Sequence, residues 1–238
     1  MTVFLAIFTR ELKAYFDNRL VVLIIPTFLG LLGAFSLFFQ DIFGTGLIDM
    51  RGVFFWMALF FLLLIPALTM RSFAEEVRTG SIEMLVTLPI SDEQLVLGKF
   101  AATLIVVLLA LFLSLTYPLT FASLGDLDWG AVLGGYLGLF AMGAALSAIG
   151  IATSASTKSQ VLAFLLALSI GLLPFATGYA LGRVPADWLP IVQYMTFEYH
   201  FSTLSKGIID TRSLIFYGSV VGLFLHLAVF QLEQRRLS

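Results

Sequence analysis

The sequence contains no cysteine, which excludes disulfides and thiolate metal sites. Histidine is almost as scarce: His200 and His226 are the only two, fewer than a transition-metal site needs. No G-x-x-x-x-G-K-[ST] stretch occurs. Gly98-Lys99-Phe100 lacks both the first glycine and the hydroxyl residue, so the chain does not hydrolyse ATP by the P-loop mechanism. No nucleophile is paired with a base, and a serine in a small-residue helix is better read as packing. Charge is sparse as well: 12% of residues are charged, against about 25% in a soluble domain. A net charge of −2 points to no nucleic-acid partner. The N-terminus lacks a signal peptide's apolar core and cleavage site, so the first segments are expected to stay in the mature protein.

What remains is apolar. Of 238 residues, 60% are hydrophobic, more than a water-soluble fold of this size can bury. The fold class expected is therefore an all-α polytopic membrane protein, a single transmembrane domain over 1–238. Six runs lack Asp, Glu, Lys and Arg: Leu20–Phe39, Val53–Met70, Phe100–Leu124, Ala131–Thr153, Val161–Gly182 and Leu214–Leu232. Each approaches the roughly 20 residues a helix needs to cross the hydrocarbon. They are continuously apolar, not alternating, so helices are expected and not a barrel.

Residues 1–19 read differently. Phe4, Ile7, Phe8, Leu12, Tyr15 and Phe16 recur at helical spacing, with Arg10, Lys13 and Asp17 on the other side. That pattern predicts an amphipathic helix in the membrane interface. Lys and Arg set the orientation. With the N-terminus inside, the inner segments hold Arg10, Lys13, Arg19, Arg71, Arg78, Lys99, Lys158, Arg235 and Arg236. The outer ones hold Arg51, Arg183, Lys206 and Arg212. Both termini are therefore expected in the cytosol. Trp56 and Trp129 fall near outer ends, where interfacial aromatics are favoured. The aromatic segment 183–213 is expected to form short helices on or dipping into the outer leaflet, with Asp210 and Ser213 as candidate N-caps of the last span.

Several intramembrane features have structural readings. Pro26, Pro66, Pro118 and Pro174 lie inside spans and can kink them. Ala141, Ala145, Ala148 and Ala152, beside Gly134-x-x-x-Gly138, mark a small face of span four. Ala163, Ala167 and Gly171 do so in span five. Such faces serve packing within one subunit or contact between subunits. His226, an ionisable group inside span six, is either a functional candidate or a neutral histidine bonded to a hydroxyl. Gln40, Asp41 and Asp49 border the first outer loop.

The chemistry concentrates in 71–99, a charged stretch between two apolar runs. The helix of span two is expected to continue through Arg71–Thr79, with no breaker. Gly80 takes the left-handed conformation that ends it. Ser81 then caps a second short helix, Ile82–Leu88, with Glu83 in its first turn, and Pro89 stops it. Ser91 with Gln94 matches a capping box opening span three. The short helix presents Ile82, Met84, Leu85, Val86 and Leu88 with few charges, so it needs a partner surface or the inner leaflet.

Pro66, Met70, Arg71, Phe73, Glu75, Glu76, Gly80, Ser81, Glu83, Leu85 and Pro89, followed by Gly98-Lys99, are together similar to the signature of type-2 ABC-transporter permeases. The similarity extends to the branch of the gliding-motility and nitrous-oxide-reductase-maturation permeases. Tyr199-His200-Phe201 and Gly207 to Asp210 resemble the last outer segment of the gliding type. The resemblance implies that the helix between spans two and three is a coupling helix seated in a separate ABC ATPase dimer. Glu83, Met84, Leu85, Leu88 and Pro89 would make that contact. Arg71, Glu75, Glu76, Arg78 and Gly80 would support the turn or form a cytosolic gate, with Glu75 and Glu76 facing Arg71 or Arg78. ATP and Mg would sit on the ATPase, and this chain would hold no cofactor. It further implies a second permease chain, membrane lipids and a periplasmic or membrane accessory protein as partners. Location in a bacterial inner membrane and outward transport follow from the same likeness. The apolar spans suit a lipid-like or amphipathic cargo. On the residues alone, a non-transporting membrane scaffold or an intramembrane enzyme stays open as the alternative.

Overall fold

The computed structural model describes residues 3–17, 20–39, 49–81, 90–183, 185 and 187–237. Among these, every regular element is helical: α1 Val3–Asp17, α2 Leu20–Phe39, α3 Arg51–Thr69, α4 Ala74–Thr79, α5 Asp92–Ser114, α6 Thr116–Leu124, α7 Trp129–Ser156, α8 Gln160–Tyr179, a 3-10 turn Leu181–Arg183, α9 Leu189–Tyr194, α10 Phe197–Ser205 and α11 Thr211–Leu237. Five stretches are long and apolar enough to cross a membrane: Arg51–Thr79, Asp92–Leu124, Trp129–Ser156, Gln160–Tyr179 and Thr211–Arg235. α1 and α2 meet at 65° and make a sixth if they are counted together as one bent span.

The helix starts follow local capping. Ser91 Oγ accepts the Gln94 N–H at 3.2 Å, and Asp210 Oδ1 accepts the Arg212 N–H at 2.9 Å, both as the sequence leads one to expect. Asp128 does the same for Gly130 and Ala131 at the head of α7. Ser213, the other candidate cap of α11, instead faces His200. Pro118 lacks the N–H that would continue the ladder, and the third span is broken at Leu115 between α5 and α6.

One expected continuity is absent. The helix of α3 does not run on to Thr79; it opens at Met70–Phe73 and restarts as α4. No proline or glycine sits there. The break is held from outside by Ser154 of α7, whose Oγ accepts the N–H groups of Phe73 and Ala74 at 3.0 Å each. The same hydroxyl donates to the Met70 carbonyl, also over 3.0 Å. A sequence-distant side chain thus replaces the intrahelical partners.

α7 is the axis of the bundle, packed against α3, α5, α8, α10 and α11. A helix surrounded on all sides needs small side chains for its neighbours to approach. Accordingly Phe54 lies where a Cβ on Gly135 would stand, and Thr69 where one on Gly150 would. Gly134 and Gly138 receive α10: the Leu204 carbonyl occupies the space of a Gly134 side chain, and Leu204 and Phe201 close over Gly138. In α8, Gly171 takes Leu146 and Leu62. The small faces of both spans are therefore used inside the subunit. Two apolar cores result. The larger joins Phe54, Phe61 and Ile65 to Val107, Met142 and Leu146. The smaller, at the opposite end of α7, joins Ile7, Phe73, Val77, Val96, Ile151 and Leu232.

Candidate functional site at the Lys99 end

The smaller core is roofed by charge. Lys99 lies about two helical turns inside α5 and is only 2% exposed. Its ammonium donates to the Ser72 carbonyl at 2.7 Å and to Glu76 Oε1 at 2.9 Å. Glu11 Oε1 is 3.2 Å away. Three acceptors meet the three N–H bonds of the ammonium, and the Phe73 ring centroid lies 4.9 Å from the cation. A buried lysine is tolerable when it is paired in this way. Arg10 completes the group, bonding Glu11 Oε1 at 2.7 Å and Glu76 Oε1 at 3.3 Å.

Three elements supply these residues. α1 gives Arg10 and Glu11, the opened turn and α4 give Ser72 and Glu76, and α5 gives Lys99. Gly98 explains how α1 reaches α5: the Ile7 side chain stands 2.7 Å from where a Cβ of residue 98 would be. Tyr15 strengthens the contact by donating to Thr103 Oγ1 over 2.9 Å, and the Thr103 hydroxyl is itself bonded to the Lys99 carbonyl. Burial alone would push the Glu11 carboxyl up, but Lys99 and Arg10 outweigh it and hold Glu11 below the usual carboxylate range.

Beside the cluster is a cavity of about 380 Å³. Its charged lining is Arg10, Glu11, Arg71, Glu75, Glu76 and Lys99; Ala14, Tyr15 and Leu68 form an apolar side. Arg71, Glu75 and Glu76, grouped from the sequence, thus come to one place. Glu76, however, takes its ion pairs from Lys99 and Arg10, not from Arg71 or Arg78. Arg78 is exposed in the last turn of α4. Gly80 adopts φ +74°, the left-handed cap that its position calls for. Glu83, Met84, Leu85, Leu88 and Pro89, with the rest of the expected helix Ile82–Leu88, lie outside the described residues, as do Gln40 and Asp41. Glu11, Ser72 and Ser154 went unnoticed in the sequence, and Arg10, Tyr15 and Lys99 stood out there only for amphipathicity, orientation or the signature, not as members of a site. Glu11 falls between Ile7, Phe8 and Tyr15 on the apolar side of the amphipathic helix, so a lone carboxyl on that face was the available signal, but nothing local tied it to residues as far as some ninety positions away.

The opposite end holds a second polar knot. His200 of α10 is 1% exposed. Its Nε2 meets the Tyr194 carbonyl at 2.8 Å and its Nδ1 meets Ser213 Oγ at 3.0 Å. The ring stacks on Phe216 with centroids 4.1 Å apart, and Tyr217 donates to the Phe197 carbonyl. Within 183–213, α10 is therefore packed on α7 and α11, while α9 buries none of its residues. His226 faces outward on α11 and makes no hydrogen bond among the described residues.

A bundle of apolar spans around a small-residue axis, with a charge cluster at one end, defines a multi-pass membrane protein. The model of the ABC-2 family transporter proteins matches residues 8–211, and the chain belongs to that family. It is a transport membrane component and not itself an enzyme; family membership implies association with an ABC ATPase. No curated protein matches the chain.

Proposed function

We propose that the chain is the permease subunit of an ATP-driven exporter in a bacterial inner membrane. It has six spans, with α1 as an interfacial helix, and both termini in the cytosol. Two permease chains, identical or related, face each other and enclose the path. The segment 82–89 is the coupling helix and docks in a separate ATPase, with Leu85 and Leu88 in its groove and Glu83 at the rim. The cargo is lipid-like or amphipathic, and the nearest branch is that of the gliding-motility and nitrous-oxide-reductase-maturation permeases, on the strength of the 66–99 signature.

One observation carries this reading. The buried Lys99 ties α1, the turn before α4 and α5 into one unit. That unit flanks the segment 82–89 on both sides, as α4 leads into it and α5 leaves it. A push on the segment is thereby delivered to two spans and to α1 together. Co-purification with its ABC ATPase partner tests it. Leu85→Asp places an unpaired carboxylate in a dry contact and drives the ATPase off. Glu76→Ala leaves the ATPase bound but separates hydrolysis from transport. Wild-type stoichiometry and activity in Leu85→Asp would remove the coupling-helix assignment.

A further inference from the structure

Residues 206–210 join α10 to α11 and run over the head of α7. Gly207 holds them there. Its φ is +81°, and a Cβ on it would stand 3.0 Å from the Ala131 nitrogen and 3.1 Å from the Gly130 carbonyl carbon. Both the backbone conformation and the space therefore call for glycine. Asp210 fixes the other end of the turn. Its Oδ1 accepts the Arg212 N–H at 2.9 Å, and its own N–H donates to the Ile208 carbonyl at 3.0 Å. Pinned at both ends, the turn holds Ile208 and Ile209 away from the protein, 59% and 62% exposed. Two adjacent aliphatic side chains are out of place on a turn in water, where Gly, Asn, Asp and Ser prevail.

The depth of the turn follows from the two spans it touches. The apolar run of α11 begins at Leu214, directly after Arg212, and that of α7 begins at Ala131, against which Gly207 lies. The turn thus sits where two spans enter the membrane, at the end of the bundle away from Lys99. Exposed Trp129, the first residue of α7, marks the same level. Lys206 and Arg212 flank the two isoleucines, and both are exposed. Arg51 at this end is 3.7 Å from Asp49; Lys206 and Arg212 make no ion pair among the described residues. The neighbouring carboxylates are engaged elsewhere. Asp128 accepts the N–H groups of Gly130 and Ala131, and Asp210 that of Arg212, each at the positive end of a helix. Aliphatic side chains between two free cations, at the level of the head groups, fit a phospholipid surface. A water-borne partner would have to cover isoleucines that the acyl layer already reaches. We infer that residues 206–212 form a lipid clasp, with Ile208 and Ile209 in the acyl layer and Lys206 and Arg212 donating to the phosphates of anionic phospholipids. The clasp stands on this turn and not on the coupling-helix reading.

The absence of cysteine makes a single introduced thiol a specific handle. Ile209→Cys and, as a control in the exposed loop before α7, Asp126→Cys are labelled with a benzophenone. Each full-length chain is placed in nanodiscs of phosphatidylglycerol and phosphatidylcholine in equal amounts and irradiated. Mass spectrometry then identifies what the label has captured. The label at 209 should capture lipid and the label at 126 should not. Among the adducts at 209, phosphatidylglycerol should exceed phosphatidylcholine, and Lys206→Gln and Arg212→Gln should each reduce that preference about fivefold, the effect of one cation at an anionic surface. Arg78→Gln, at the other end of the bundle, should leave it unchanged. No lipid adduct at 209, or as much at 126 as at 209, would overturn the inference. So would equal capture of the two lipids, a preference that survives the loss of both cations, or capture of a second protein chain in place of lipid. All the substituted positions are exposed, so the variants keep the packed interior.

Discussion

Ser154 Oγ accepts the Phe73 N–H over 3.0 Å although 81 residues separate them. With its bonds to the Ala74 N–H and the Met70 carbonyl, that one hydroxyl answers three backbone groups at a break in the helix. The break separates α3 from α4 within the stretch Arg51–Thr79, directly before the segment 82–89 in the chain. Ser154 itself is fully buried, so no water stands ready to replace it.

Ser154→Ala should therefore strand those groups and cost about 1–3 kcal/mol. The expected result is a lowered midpoint of thermal unfolding in detergent together with faster amide exchange at residues 71–79. An unchanged exchange rate there would show that the break holds without the hydroxyl.

Close approach to α7 makes a second prediction. A methyl at residue 150 would overlap Thr69, whose hydroxyl is fixed by the Ile65 and Pro66 carbonyls. A methyl at residue 98 meets only the Ile7 side chain at 2.7 Å, on a shorter helix that can shift. Gly150→Ala should lower expression of folded protein far more than Gly98→Ala, by about 1–3 kcal/mol against a fraction of that. Fluorescence size-exclusion chromatography of both variants measures the difference.

The contrast between what could and could not be read in advance has a physical basis. Local rules gave the five long spans, the caps at Ser91 and Asp210, and the left-handed Gly80, because each depends on residues within one turn. The break at Met70–Phe73 depends on Ser154, and the partners of Glu76 depend on how α1 lies on α5. Neither is written within reach of a helical period. The signature residues make sense once the partners are visible: Phe73 fills the small core and lies under Lys99, Glu76 pairs with Lys99, and Gly98 admits Ile7. The small faces of α7 and α8 were legible as packing surfaces, but their partners, α10 among them, were not.

Lys99→Met should leave Glu11 and Glu76 to share the more exposed Arg10 as the cation still bonded to both. Loss of one member of a buried group costs up to about 3–5 kcal/mol, reduced here because both carboxylates keep some contact with water. The double variant Lys99→Met, Glu76→Gln removes the excess negative charge and should recover much of the lost stability. Unfolding midpoints of the two variants and wild type form the comparison; a double variant as unstable as the single one would mean that packing, not charge, is what Lys99 supplies.

His200 supplies a pH dependence whose sign is fixed by its surroundings. Burial disfavours the imidazolium, and although the Tyr194 carbonyl and Asp210 oppose this, the pKa lies below its ordinary 6.5. The neutral ring donates from Nε2 to Tyr194 and accepts at Nδ1 from Ser213; a protonated Nδ1 would turn a donor toward that hydroxyl and displace its proton. The unfolded state therefore binds a proton more readily than the folded one. Stability from this residue is complete above pH 6.5, falls as the pH drops through 6.5, and levels off below the folded pKa. Unfolding midpoints of the purified protein between pH 8 and pH 5 should decline, with roughly the onset expected of a histidine, and amide exchange at residues 194–213 should quicken over the same interval. His200→Gln should be less stable at pH 8 and should flatten the decline. A decline of equal slope in wild type and His200→Gln would assign the pH response to another group.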